Sequence, residues 1–204
     1  MGNEDAGLIG RRGLYAKGVA RRQEILDRAI EVFAQRGTHG TSLRSIAQAI
    51  GVSHAALLHY FDSREQLLLA VYEHAERKRD SDPEAPRPTD AVDVMVSAAS
   101  ANVQVPGLVE LYSGLVAASL EEGGSAGRSY FTQRFDRIRR ELAERLRAEQ
   151  ETGRIRADVD PEQVAALIVA ASDGLQIQWL LDPSIPLEET LGVLSVLLRS
   201  PAAD

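Results

Sequence analysis

The amino-acid sequence predicts an all-α protein of about nine helices, and three observations carry that prediction. Apolar residues recur at three- and four-residue intervals along most of the chain, capping residues and glycines punctuate those runs, and almost no stretch alternates as a strand would. At 204 residues, 44% hydrophobic and 26% charged, the chain has the balance of a globular protein able to bury a real core. It has no cysteine, which excludes disulfides, cysteine catalysis and thiolate metal sites. Its apolar runs break well short of a bilayer span, and the N-terminal MGNEDAGLIGRRG lacks the apolar centre of a signal peptide. A cytoplasmic protein without membrane association is therefore expected.

The elements follow in order. From Val19 to Arg36, Ile25, Leu26, Ala29, Ile30 and Phe33 share a helical face, and Gly37 supplies a left-handed stop. Thr41 or Ser42 caps a short second helix carrying Leu43, Ile46, Ala47 and Ile50, which Gly51 ends. Ser53 caps a third helix through Tyr60. Ser63 and Gln66 form a capping box that opens a fourth, running to about Arg79. Residues 80–90, DSDPEAPRPTD, hold three prolines and four acids and form a loop. Helices are then expected over 91–104, 107–120 and 127–151. Asp160-Pro161-Glu162 starts another to Leu181, and a last one spans Pro186 to Arg199.

The second and third helices are joined by AIGVS, too short for anything but a sharp turn. Gly51 takes the positive φ, Val52 plugs the corner, Ser53 restarts the backbone, and Ala47 is small where the helices cross. This is the arrangement of a helix-turn-helix, whose second helix enters the DNA major groove. Leu57 and Phe61 would anchor the third helix to the core. Ser53, His54, Ala55, Ala56, Leu58, His59 and Tyr60 are left for its other sides, with no Asp, Glu, Lys or Arg between Gly51 and Phe61. Such a surface suits base edges and thymine methyls. Arg44, Arg64, Lys17 and Arg21 sit at the rim, where phosphates lie. The net charge of −7 conceals a matching asymmetry: residues 11–79 carry twelve Lys and Arg against seven Asp and Glu, a balance of +5 that leaves −12 on the rest. The plainer alternative, a helical hairpin with a few exposed aromatics, stays open on spacing alone.

Residues 25–72, ILDRAIEVFAQRGTHGTSLRSIAQAIGVSHAALLHYFDSREQLLLAVY, resemble the N-terminal domain of TetR-family transcriptional regulators. The matching features are Ala29, Phe33 and Gly37 at the first helix end, the I-A-x-x-x-G-V-S turn from Ile46, and Y-F-x-S-[KR]-E-x-L from Tyr60 to Leu67. DGLQIQWLLDP, residues 173–183, resembles the penultimate helix of many members. The resemblance implies DNA contacts from Arg44, Ser53, His54, Ala55, Ala56, His59 and Tyr60, with Arg64 standing where the family usually has a phosphate-binding lysine. Leu58 departs from a frequent tyrosine, and Ala55 and Ala56 from a frequent glycine and threonine. With the rim and cap positions, the expected DNA-binding set is Lys17, Thr41, Ser42, Arg44, Ser53, His54, Ala55, Ala56, Leu58, His59, Tyr60 and Arg64.

The expected organisation is a flexible basic arm over 1–17, a helix-turn-helix DNA-binding domain over 18–64 and a helical ligand-binding and dimerisation domain over 65–204. The last two helices are apolar on more than one side, which calls for cover on both. An isologous homodimer through a four-helix bundle meets that need, and the resemblance implies it too. The stripe assigned to the interface is Val164, Ile168, Ala171, Leu175 and Trp179 with Leu187, Leu191, Leu194 and Leu198; the alternative is that these are core helices. Met95, Val103, Leu108, Leu111, Tyr112, Leu115, Phe131 and Phe135 are candidates to line an effector pocket, with Tyr112 and Gln176 as polar orienters and ordinary core as the alternative. The expected function is a homodimeric repressor of a palindromic operator on double-stranded DNA, released by a small, apolar effector, with the fourth helix as lever. The alternative is a helical carrier or adaptor that no longer reads DNA. No enzyme, cofactor or metal is expected: His39, His54, His59 and His74 lack ligand spacing, and neither a nucleophile motif nor a phosphate loop occurs.

Overall fold

A computed structural model describes residues 5–36, 42–84, 87–121 and 125–200. Among them are nine helices and no strand: α1 (Asp5–Arg36), α2 (Leu43–Ala49), α3 (His54–Tyr60), α4 (Arg64–Asp80), α5 (Ala91–Gln104), α6 (Leu108–Leu120), α7 (Ser125–Glu151), α8 (Pro161–Leu181) and α9 (Leu187–Leu198). The chain divides into two compact units, one ending at Ser81 and one beginning at Asp82.

In the first unit the apolar faces read from the sequence meet. Ile25, Leu26, Ala29 and Phe33 of α1 are buried together with Ile46, Ala47, Leu57, Phe61, Leu67, Val71 and Tyr72. The division places α4 in this unit, whereas the sequence reading put a boundary at 64. A side-chain cluster holds α4 to α1: Asp27 accepts from Lys78 Nζ at 3.2 Å and lies 3.1 Å from His74 Nε2. Partial burial pushes the Asp27 carboxyl up, but the hydrogen bonds and charges of His74 and Lys78 outweigh it and hold it below the usual carboxylate range.

Helix α1 differs most from expectation. It begins at Asp5 rather than Val19, so the backbone of residues 5–17, expected as a flexible arm, is helical. Gly7, Gly10, Gly13 and Gly18 lie within it. Each costs a helix about 1 kcal/mol relative to Ala, but no proline interrupts the run. Gly37, the expected stop, lies outside the described residues.

The second unit packs α7 against α8, α5 against α9 and α6 against α7. Asp160 starts α8 as expected, its Oδ1 accepting from the amides of Glu162 and Gln163 at 2.8 and 3.1 Å. Asp90 precedes α5 without capping it; the Ala91 amide donates instead to Glu149 Oε1 of α7 at 2.7 Å, while Arg154 holds Asp90 at 2.5 Å. Burial raises the Glu149 carboxyl against the opposing pull of that amide. The chain end after α9 is clasped to the α7–α8 connection, the Arg156 amide donating to Leu198 O at 2.9 Å. Helix α8 has the length and apolarity to cross a bilayer, and its composition follows from having one apolar face in the core and another on the surface.

Candidate functional site

The α2–α3 turn is built by local bonds and locked by one residue from α1. Ser42 Oγ accepts from the Ser45 amide at 3.2 Å, and Ser53 Oγ from the Ala56 amide at 3.0 Å, so each helix starts on its serine. Gly51 has φ +73°, and the Val52 amide donates to Ala47 O at 2.9 Å, folding the corner back on α2. Arg28 Nη1 donates to Ile50 O at 3.2 Å, meeting the negative end of α2 with a positive charge. The guanidinium of Arg22 lies 5.1 Å over the Phe61 ring just past the end of α3. Neither arginine was in the expected site, because nothing in their local sequence shows what they reach.

Leu57 and Phe61 are fully buried, as the four-residue spacing required. Their burial turns the rest of α3 outward: Ser53, His54, Ala55, Leu58 and His59 are exposed, and Ala56 and Tyr60 half-buried. The His59 ring packs edge-on against Tyr60, centroids 5.0 Å apart. Ser42 and Arg44 are exposed and Arg64 is half-buried. Thr41 and the side chain of Lys17 lie outside the described residues. Gln66 completes the capping box one residue early, accepting from the amide of Asp62, not of Ser63, at 2.6 Å.

The stripe expected to form the dimer contact faces inward. Val164, Ile168 and Leu198 pack with Leu142, Ala143 and Leu146 of α7. Leu187 and Leu191 pack with Ala99 of α5, and Ala171, Leu175, Trp179 and Leu194 lie against that core. Val164, Ile168, Leu187, Leu191 and Leu198 are thus buried in the chain's own interior, and Ala171, Leu175, Trp179 and Leu194 half-buried. The open apolar face is the opposite one: Leu167 (65% exposed), Ile177 and Leu181 on α8, and Val193, Val196 and Leu197 (63%) on α9.

The expected pocket residues divide among several packings. Met95, Val103 and Phe135 border the two cores, while Leu108, Leu111, Leu115, Tyr112 and Phe131 are buried around α6 and α7. Tyr112 and Phe131 stack edge-to-face at 5.8 Å, and Phe135 lies 6.4 Å from Phe131. Gln176 is buried, donating to Ser172 O at 3.2 Å and accepting from Asn102 at 3.0 Å. Unforeseen is Asp173, which accepts from Tyr112 Oη at 2.9 Å. Burial pushes this carboxyl up, against Tyr112 and the charge of Arg134; Arg134 is itself buried, 5.2 Å from the Tyr112 ring centre. A lone acid inside the apolar helix α8 was the available signal. A groove of about 530 Å³ lies elsewhere, on α7 and the start of α8, lined by Asp136, Arg139, Arg140, Ala143, Glu144, Arg147 and Glu162. Ion pairs Arg139–Asp136 and Arg147–Glu162 lie along it, and its three arginines balance its three acids. Among the described residues, no group of three His, Cys, Asp or Glu side chains is placed to hold a metal ion.

Residues 25–71 match the family model of bacterial regulatory proteins of the tetR family, and residues 126–200 that of the BetI-type transcriptional repressor C-terminal domain. The HTH-type transcriptional regulator BetI of Rhizobium meliloti (strain 1021) is 34% identical over 167 residues, 78% of this chain and 77% of that protein. RutR of Escherichia coli (strain K12), also an HTH-type transcriptional regulator, is 48% identical over 52 residues, 26% of this chain; the match spans only 24% of RutR. Solved structures share the fold, and two illustrate it. A TetR-family regulator from Rhodococcus sp. has TM-score 0.72 at 24% identity, covering 89% of this chain and 100% of that one. A transcriptional regulator of Saccharomonospora viridis, in complex with choline, has TM-score 0.65 at 23% identity, covering 87% and 94%. The chain belongs to the TetR family of bacterial regulatory proteins.

Proposed function

We propose that this protein is a cytoplasmic, homodimeric transcriptional repressor that binds a palindromic operator through α3 and is released by a small molecule. The observation that carries the reading is α3 itself: a helix held against the core by Leu57 and Phe61, presenting only neutral side chains and imidazoles, with Arg44 and Arg64 beside it. Base edges and thymine methyls reward that face, and phosphates reward its rim. DNA contacts are assigned to Ser42, Arg44, Ser53, His54, Ala55, Ala56, Leu58, His59, Tyr60 and Arg64. Ser53 uses a lone pair for capping and keeps a hydroxyl proton for phosphate, whereas the Ser42 hydroxyl also bonds Ser45 Oγ at 3.2 Å.

The second copy is assigned to the open face of α8 and α9, an apolar surface larger than scattered leucines on a monomer. The effector is assigned to the surroundings of Tyr112, Phe131, Phe135 and Asp173. An apolar effector was expected from the sequence. An organic cation, such as the choline bound in the Saccharomonospora viridis relative, is the competing assignment: it would take the place of the Arg134 guanidinium, which lies 5.2 Å from the Tyr112 ring centre and whose charge acts on Asp173.

Selection of binding sites from random duplex DNA tests the reading. The expected product is a palindrome with half-sites one helical turn apart, about 34–36 Å. Its affinity should fall steeply with salt, at a log–log slope of about 0.9 per phosphate neutralised. Choline added to the complex should lower affinity. A folded protein that enriches no sequence would be a carrier or adaptor instead.

A further inference from the structure

Leu58 is 43% exposed on the seven-residue helix α3, while its apolar neighbours Leu57, on the same helix, and Phe61, just past its end, are fully buried. We propose that Leu58 reads the C5-methyl of a thymine in each operator half-site. The proposal rests on the DNA-binding reading above and names the base group that α3 selects.

The argument starts from what the major groove offers. Base pairs present ring nitrogens, carbonyl oxygens and amino groups there, and one apolar group, the thymine methyl. A leucine seated on any polar edge strips it of water without replacing the hydrogen bond, which costs free energy. Against the methyl, the same side chain removes two apolar surfaces from water at once. Leu58 therefore rejects three of the four bases facing it and accepts one. Its surroundings leave it that role. His54 and His59 flank it with groups that donate and accept, and His59 is turned edge-on to Tyr60, 5.0 Å away. No ionic side chain between Gly51 and Phe61 competes for the groove floor, and the nearest arginines in sequence, Arg44 and Arg64, stand on other helices.

The test uses the full-length protein and the operator obtained by selection. Each thymine is replaced in turn by deoxyuridine, which keeps every base-pair hydrogen bond and deletes only the methyl. Affinities are measured at one salt concentration for the wild type, Leu58→Ala and Leu58→Met. Loss of one buried methyl weakens wild-type binding about fourfold at the contacted position, and about sixteenfold when both half-sites are changed. Leu58→Ala binds the thymine operator more weakly and shows no difference between thymine and uridine, while Leu58→Met retains the preference. Because Leu58 is exposed, these variants keep the fold, which circular dichroism verifies. Wild-type affinity indifferent to uridine at every position overturns the proposal but leaves DNA binding standing, as does a thymine preference that survives in Leu58→Ala. Failure to select any operator overturns both readings.

Discussion

Replacing Leu197 with alanine tests which face of α9 meets a second protomer. Leu197 is 63% exposed, so about two thirds of its side chain remains to be buried. Full burial of a leucine contributes about 1.5–3 kcal/mol, so the exposed part is worth about 1–2 kcal/mol on each chain. In an isologous contact every substitution acts twice, and the dimer should weaken by about 2–4 kcal/mol, roughly 30- to 700-fold in dissociation constant. Sedimentation equilibrium over a dilution series measures this directly. Leu191→Ala is the control: Leu191 has no exposed surface, and its truncation should cost about 2.7–5 kcal/mol of folding stability. A wild-type protein that dimerises, with Leu197→Ala associating equally tightly, would place the contact on another surface.

Three further substitutions probe the turn and the buried carboxylate. Arg28→Met keeps the aliphatic stem but removes the donor to Ile50 O; chemical denaturation should show a loss of about 1 kcal/mol, and operator affinity should fall with it, whereas unchanged affinity would mean that α2 and α3 hold their angle unaided. At Gly51 the left-handed φ of +73° is the constraint, since an added Cβ has its nearest neighbour, Arg28 Nη1, at 3.7 Å. Gly51→Ala should therefore cost about 1–2 kcal/mol and Gly51→Asn less; equal costs would show that space is limiting. Asp173 carries a raised pKa set by burial, so the folded state binds more protons than the unfolded one above the ordinary carboxylate value of 3.8, and stability falls as pH rises through that window. Asp173→Asn should melt higher than wild type at neutral pH, with the gain vanishing below the ordinary value. Parallel melting-temperature curves across pH would refute the assignment, and loss of the choline response in the same variant would tie Asp173 to the effector.

How much of this was legible depends on how far each determinant lies from its partner along the chain. The helix-turn-helix is local: Ser42, Ser53 and Ser63 each accept from an amide three residues on, Gly51 bends a connection of a few residues, and Leu57 and Phe61 reach one core. Spacing alone carries such facts. Asp90 shows what spacing does not report: it stands at the cap position of α5, yet the Ala91 amide finds Glu149, 58 positions away. Asp173 and Tyr112 meet across 61 positions, and neither announces the other. The two apolar stripes of α8 and α9 pose the same problem in its sharpest form. Hydrophobic periodicity reports that both sides of a helix must be covered, and it is silent on which cover is supplied by the same chain. Leu142 and Leu146 on α7 and Ala99 on α5 decide that by claiming Ile168 and Leu191, which leaves Leu167 and Leu197 to the surface. The demand for cover on both sides was therefore readable before the fold, whereas the face that the chain itself leaves open follows only from the intrachain packing that comes first.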